Sequence, residues 1–237
     1  MANLTREKKH DLQNKNNSIN KNSSNSYGMW RENIARSIAK SRKVRGGNYV
    51  QIATVDSENK PRNRTVVFRG FVNDLKRGRE ALKMITDARS QKVKNIVNHT
   101  SHCEMVWWFS KTLEQYRVFG NLCLIDEDEE DDNLQIARKQ QWGNLSDSAR
   151  EQFFWATPGL KYSAEEEASV MVPTGGRDVE TNKVLPPPSN FLLLLLYPTE
   201  VKYLNLRDNY SQFDQLKETK TRGEKTNEVW ENIRVNP

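Results

Sequence analysis

Three short segments carry side chains suited to gripping an anion and the polar edge of a heterocycle. The first, residues 61–70, reads Pro61-Arg62-Asn63-Arg64-Thr65-Val66-Val67-Phe68-Arg69-Gly70. On an extended chain Arg62 and Arg64 share one face, and Arg69, at odd spacing, takes the other unless a bulge intervenes. Cations flanking Val66, Val67 and Phe68 suit a phosphate beside an aromatic ring, although a strand with charged ends and an apolar centre is also common. The second, Thr86-Asp87-Ala88-Arg89-Ser90-Gln91-Lys92, reads as a helix start. Thr86 or Asp87 caps it, free N–H groups fill its first turn, and Arg89 and Lys92 lie three apart on its surface. That combination binds phosphate well, but an ordinary capped surface helix has the same look. The third, residues 107–120, contains Gln115-Tyr116-Arg117-Val118-Phe119. Gln115, Arg117 and Phe119 share one strand face, where Gln and Arg suit the polar edge of a ring. Trp107 and Trp108 fit a core or a subunit interface better than cofactor stacking.

Other chemistry is missing from the chain. His10 lies near the N-terminus, and His99-x-x-His102 is the sole metal-like spacing, with no Cys pair beside it. Two exposed imidazoles between a helix and a strand are the plain reading, and no metal is expected. There is no Gly-x-Ser-x-Gly elbow, no Gly-x-Gly-x-x-Gly and no P-loop. An enzyme with this inventory relies on a bound cofactor for its reaction.

The elements that must position these segments follow from periodicity. Residues 1–26 are rich in Asn, Lys and Ser with three large aliphatics, too few to offset the entropy of ordering, and are expected to form a disordered tail. The single folded domain is expected over 27–237. A helix is expected near residues 29–42, where Trp30, Ile34 and Ile38 recur at helical spacing. Strands are expected at 49–55, 62–69, 81–85, 103–109, 115–125, 191–197, 201–206 and 229–235, with helices at 89–98 and through 134–168. The acidic run 126–132 is expected to be a solvated loop. Antiparallel strands with helices inserted between them indicate α+β, mainly β, around a barrel core.

Charge and composition bound the rest. The net charge of +6 is carried by residues 1–46, which hold 11 Lys/Arg against 3 Asp/Glu; the remainder is close to neutral at −2. Nucleic-acid binding is therefore not expected of the barrel, and an RNA-associated role would rest on the tail alone. The longest apolar run, residues 191–197, is far short of the roughly 20 residues of a membrane span, so no membrane association is expected. Two cysteines and no apolar leader make a cytoplasmic location the expectation.

Taken together, Ala53-Thr54-Val55-Asp56, the 61–70 segment, Thr86 to Lys92, Gln115-Tyr116-Arg117, Phe154-Trp155-Ala156-Thr157-Pro158-Gly159 and the ending from Trp230 to Pro237 resemble the general FMN-binding branch of the pyridoxamine 5'-phosphate oxidase superfamily. The resemblance runs from about Met29 to Pro237. It implies a six-stranded antiparallel split β-barrel with flanking helices, a homodimer with FMN at the subunit interface, and a small-molecule substrate. Carried onto this chain, it places Arg64, Ser90 and Lys92 at the FMN phosphate with Arg89 assisting. Val66, Val67 and Phe68 would line the flavin through their backbone, and Arg69 stands where the oxidase has a flavin- and substrate-contacting lysine. Thr86 and Gln115 match flavin-contacting positions, and Arg117 belongs with Gln115.

Departures bear on the reaction. Gln91 precedes Lys92 where the oxidase has Arg, and Ile85 precedes Thr86 where it has Tyr. The oxidase's late Trp and its following Arg/His cluster are represented here by Leu204 and residues 207–213, which lack such a cluster. The resemblance thus implies an FMN-dependent oxidoreductase with pyridoxamine or pyridoxine 5'-phosphate as candidate substrates. The alternatives are a non-catalytic FMN-binding or redox-sensing module, or a barrel recruited to haem or deazaflavin.

Overall fold

The computed structural model describes residues 28–219 and 227–237, so the expected tail, residues 1–26, lies outside the described residues. The chain opens with helix α1 (Met29–Ser41), whose Trp30, Ile34 and Ser37 form the buried stripe that its spacing dictates. Strands β1 (Tyr49–Val55) and β2 (Pro61–Val67) form a hairpin that pairs Ile52 with Arg64 and Val50 with Val66. The short β3 (Phe71–Asp74) pairs with β4 (Arg79–Asp87). Helix α2 (Gln91–Asn98), β5 (His102–Phe109) and β6 (Glu114–Ile125) follow. Helix α3 (Asp132–Gly143), the short α4 (Asp147–Glu151), a 3-10 turn (Gln152–Phe154) and α5 (Ala164–Ser169) occupy the region before β7 (Phe191–Asn205). Strands β8 (Tyr210–Thr219) and β9 (Asn227–Val235) complete the chain.

All strand pairings are antiparallel, in the order β2-β1-β5-β6-β7-β4-β3, with β8 and then β9 continuing from β7. Nine strands are found among the described residues, not the six of the expected barrel. The sheet also remains open, because no ladder joins β2 to β4. Instead the connector after β2 bridges the gap: Phe68 N–H donates to Asn48 O (2.8 Å), Arg69 N–H to Lys83 O (2.8 Å) and Lys83 N–H to Gly70 O (2.8 Å). Gly70, at φ +112°, makes that crossing with a backbone other residues rarely adopt.

Strand β7 contributes to all three hydrophobic cores, Phe191 packing with Trp142 and Phe153 in the third. Its Leu194, Leu196 and Val201 pack with Ile52, Met84, Met105, Trp107, Tyr116 and Trp30, while Leu193, Leu195 and Tyr197 pack with Ala81, Ile125 and Leu134 of α3. Burial on two faces explains a run with no polar alternation. It also corrects the expectation of two strands at 191–197 and 201–206: one strand of 15 residues runs through Pro198, which sits at a bulge opposite Phe119/Gly120. Gly120 is required there, because a Cβ would lie 2.0 Å from Tyr197 O.

Other expectations are corrected as well. The continuous helical region 134–168 is broken after Gly143 and again over 155–163, a stretch in which Pro158 and Gly159 (φ +84°) keep the helix from resuming. The acidic run is not wholly solvated. Asp131 is buried and accepts from Asn133 N–H (2.9 Å), capping α3. Strands β3 and β8 carry no apolar run and were not expected. Trp107 is fully buried and its Nε1–H donates to Gly47 O (2.9 Å), whereas Trp108 is 41% exposed. Cys103 and Cys123 are both free thiols. No helix among the described residues is long and apolar enough to cross a membrane.

Candidate functional site

Four elements meet at one end of the sheet: β2, the last residues of β4, the start of α2, and the chain from α4 to Pro158. They enclose a cavity of about 430 Å³ lined by Val66, Val67, Arg69, Ile85, Thr86, Ser90, Lys92, Phe153 and Trp155, among others. This volume lies within the roughly 300–1,000 Å³ of small-molecule sites. Six of the expected site residues line it together: Val66, Val67, Arg69, Thr86, Ser90 and Lys92.

The polar end of the cavity is a cluster of hydroxyls and cations. Lys92 Nζ donates to Thr86 Oγ1 (3.0 Å) and Ser90 Oγ (3.1 Å), and the two hydroxyls lie 3.1 Å apart. Arg64, on β2, is not among the lining residues but its charge acts on Lys92; its guanidinium is fixed to Thr54 Oγ1 (2.8 Å), which also accepts from Asn95 Nδ2 of α2 (2.9 Å). Neither Arg64 nor Lys92 has a carboxylate partner among the described residues. Burial, and then the Arg64 charge, push the Lys92 ammonium below the ordinary lysine range; burial likewise lowers Arg64. Two partly desolvated cations with no carboxylate in ion-pair contact, Asp87 acting on Lys92 only at longer range, form a site for an anion that arrives with its own charge.

The helix start is built differently from the simple cap. Ser90 occupies the N-cap position of α2, and Asp87 instead caps the preceding turn, accepting from Arg89 N–H (2.7 Å). Burial works to raise the Asp87 carboxyl, but hydrogen bonds from Arg89 and Asn190 outweigh it and hold it below the usual carboxylate range. Arg89 pairs with Asp87 (2.7 Å) and donates to the carbonyls of Trp155 (3.0 Å) and Phe153 (3.2 Å). Its charge is therefore matched inside the protein, and its role is to fasten the 153–155 wall to the start of α2.

Of the remaining expected residues, Phe68, Gln115 and Arg117 lie elsewhere. Phe68 turns into the core against Trp107 (4.6 Å between ring centroids) and Phe71 (5.0 Å). Arg69 faces the cavity with its buried Nε–H unpartnered, and burial lowers its pKa. Gln115 and Arg117 stand on the outer face of the sheet and are not part of the cavity lining; Arg117 pairs with Glu104. His99 and His102 are exposed, and no metal-binding cluster occurs among the described residues. The wall made by Ala149, Gln152, Phe153, Trp155, Ala156 and Pro158 was not expected as part of the site. Its one sequence signal is the stretch Phe154 to Gly159, which carries family resemblance but no chemical group to mark it.

Comparison with known proteins points in one direction. The family model described as the FMN-binding domain of pyridoxamine 5'-phosphate oxidase matches residues 27–126. A pyridoxine/pyridoxamine 5'-phosphate oxidase 2 of Arabidopsis thaliana is 33% identical over 208 residues, covering 88% of this chain and 96% of the relative. Among solved structures, a pyridoxamine 5'-phosphate oxidase-related, FMN-binding protein from Nostoc punctiforme is 34% identical with a TM-score of 0.70, covering 89% and 98% of the two chains. PhzG from Burkholderia lata shares the fold, with a TM-score of 0.63 at 14% identity over 87% and 91% of the chains.

Proposed function

Because the chain belongs to the pyridoxamine 5'-phosphate oxidase-related FMN-binding family, with FMN as its cofactor, we propose that it is an FMN-dependent oxidoreductase acting on a small molecule. The observation that carries this reading is Lys92 bonded to the hydroxyls of Thr86 and Ser90, with the Arg64 charge acting on it and no ion-pair partner for either cation among the described residues. These four residues fit a phosphate monoester dianion, and Lys92 and Arg64 would hold it. Val66, Val67 and Ile85 would lie along the apolar ring system, Phe153 and Trp155 would exclude water, and the unpartnered Arg69 Nε–H would meet a polar ring edge. The isoalloxazine supplies the redox chemistry when bound, leaving orientation and electrostatics to the protein.

The relative's name nominates pyridoxamine and pyridoxine 5'-phosphate as candidate substrates. The test is anaerobic mixing of FMN-loaded protein with each vitamer. Loss of the flavin's visible absorbance supports the assignment; an unchanged spectrum with both removes these substrates. A second reading, a non-catalytic FMN-binding or redox-sensing module, draws on one observation. Among the described residues, the one carboxylate lining the cavity, Asp87, is committed to Arg89 and Asn190, which leaves no free acid–base pair in that lining. Steady turnover with any physiological donor would eliminate it.

The split-barrel and homodimer readings belong to the same proposal. Register aligns Trp108, Gln115, Leu204, Ser211 and Val235 in one row across the outer sheet face, with Val106, Arg117, Lys202, Phe213 and Ile233 in the next. A second copy covering these rows would bury Trp108 and bring Gln115 and Arg117 into a shared interface with the cofactor. Two free thiols fit a cytoplasmic setting.

A further inference from the structure

The segment Ala53-Thr54-Val55-Asp56 carries family resemblance, yet none of it lines the cofactor cavity. Two of its residues each hold one arginine of the neighbouring strand. In the β1–β2 hairpin Thr54 pairs with Arg62 and Ile52 with Arg64, so Thr54 meets Arg64 on the diagonal. Thr54 Oγ1 accepts from Arg64 Nη1 (2.8 Å), and Asp56 Oδ2 accepts from Arg62 Nε (2.7 Å). The two anchors differ in charge. Asp56 is a carboxylate and matches Arg62 within the hairpin, whereas Thr54 is neutral and leaves Arg64 its charge. We infer that Thr54 is a positioning residue of the cofactor site: its hydroxyl fixes the Arg64 guanidinium without neutralising it, so that the full charge meets the phosphate. The inference rests on the cofactor assignment above and adds to it the residue that aims Arg64.

The local geometry suits that task. Thr54 is fully buried on β1, and its hydroxyl also accepts from Asn95 Nδ2 of α2 (2.9 Å). A hydroxyl oxygen has two lone pairs, and these two bonds take both, which stops its rotation. Asn95, itself buried, is held in turn by Gln91 Nε2–H, which donates to its Oδ1 (3.2 Å). Thr54 thus ties β1, β2 and α2 together where the Arg64 charge acts on Lys92. Among the described residues the Arg64 guanidinium bonds through Nη1 alone, to Thr54 Oγ1 and Ile52 O (3.4 Å). Its Nε–H and Nη2–H groups are left for the paired donation that a phosphate takes from arginine.

The same division sorts the other cations around the cavity. Lys92 is held by the hydroxyls of Thr86 and Ser90, whereas Arg89, which fastens the 153–155 wall, is matched by Asp87. Cations with a structural task carry a carboxylate, and cations assigned to the phosphate carry hydroxyls. A carboxylate in place of the Thr54 hydroxyl would hold Arg64 as firmly and cancel the charge that the phosphate needs.

The experiment uses the full chain, stripped of flavin, with FMN and riboflavin titrated separately by fluorescence quenching. The readout is the riboflavin-to-FMN ratio of dissociation constants, which a general loss of packing would not move because it weakens both ligands alike. The unaltered chain is read first: no preference for FMN sinks the phosphate reading itself, before any variant is made. Thr54→Val should weaken FMN about three- to ten-fold and leave riboflavin within about two-fold. Thr54→Ser keeps the hydroxyl and should return the ratio to within about two-fold of the unaltered value. Added to Arg64→Ala, Thr54→Val should cost FMN no more than about two-fold further, because the hydroxyl acts through Arg64. If Thr54→Val does not fold, Thr54→Cys, whose thiol accepts only weakly, should lower the ratio in its place. A ratio unchanged in the folded variant overturns the inference, whether or not both affinities fall. So does a serine variant that behaves like the valine one, or an undiminished further loss on top of Arg64→Ala.

Discussion

Removing Arg64 should cost affinity for FMN but not the fold. In Arg64→Ala the guanidinium's bond to Thr54 Oγ1 is lost, yet that hydroxyl still accepts from Asn95 Nδ2 (2.9 Å), so no buried polar atom is orphaned. The unliganded protein also loses a like charge beside Lys92, whose ammonium is held down by burial and by Arg64. One charge-assisted contact contributes about 1.5–3 kcal/mol, so FMN should bind roughly ten- to hundred-fold more weakly. At FMN one hundred times the unaltered protein's Kd, ligand stabilisation is about 2.7 kcal/mol, and a thirty-fold loss leaves about 0.9. For a domain of this size, that takes the FMN-induced rise in Tm from roughly 5–10 °C to about 2–3 °C. Quenching of flavin fluorescence gives Kd, and differential scanning fluorimetry with and without FMN gives the shift. Lys92→Met should behave alike, and the double variant should lose less than the sum, since both cations meet one phosphate. The reasoning is refuted by FMN affinity unchanged in both single variants, or by an equal loss for riboflavin, which has no phosphate.

Further outcomes follow from individual residues. Asp214 is buried with Gln212 as its partner, and burial raises its carboxyl to about 6. Because the folded pKa lies above the unfolded value of 3.8, the fold binds more protons in that window and loses stability as pH rises through it. Asp214→Asn should therefore add roughly 1–3 kcal/mol at about pH 8 and nothing near pH 3, read from urea unfolding at both. Gly120→Ala must displace the Tyr197 carbonyl and should lower stability by about 1–3 kcal/mol or more, measured by chemical denaturation. Arg89→Ala frees Asp87 and unfastens the 153–155 wall, so it should weaken FMN about ten-fold and make that segment more susceptible to proteolysis. Burial and the Arg64 charge depress Lys92 in the free protein, and a bound dianion would restore its proton. FMN affinity should accordingly fall as pH rises through the Lys92 ionisation, and Lys92→Met should abolish that slope.

How much of this was legible depended on whether a residue's chemistry matched its neighbours' periodicity. Strands β1, β5 and β6 alternate cleanly because one face meets the core, and their bounds follow from pattern alone. Strand β8 did not announce itself, since Gln212 and Asp214 occupy its buried positions and its turn with β7 is polar. The 134–168 region misled for the opposite reason. Its composition favours helix on either side of Pro158-Gly159, but tertiary bonds from Arg89 and Asn190 to Phe153 and Trp155 hold an irregular wall there. In the site, Thr86, Ser90 and Lys92 were readable because a helix start fixes their mutual spacing. Arg89 looked like one more cation for the phosphate, and only the folded chain shows Asp87 claiming it. The apolar wall residues had no chemical signature, so shape alone brings them to the cavity.

The most direct measurement is a paired titration of the purified, flavin-stripped chain with FMN and with riboflavin, followed by fluorescence quenching. Arg64, Lys92, Thr86 and Ser90 acting on a phosphate predict saturable binding of one FMN per chain and riboflavin at least about ten-fold weaker. Equal affinity for the two, or no saturable binding of FMN, would contradict it.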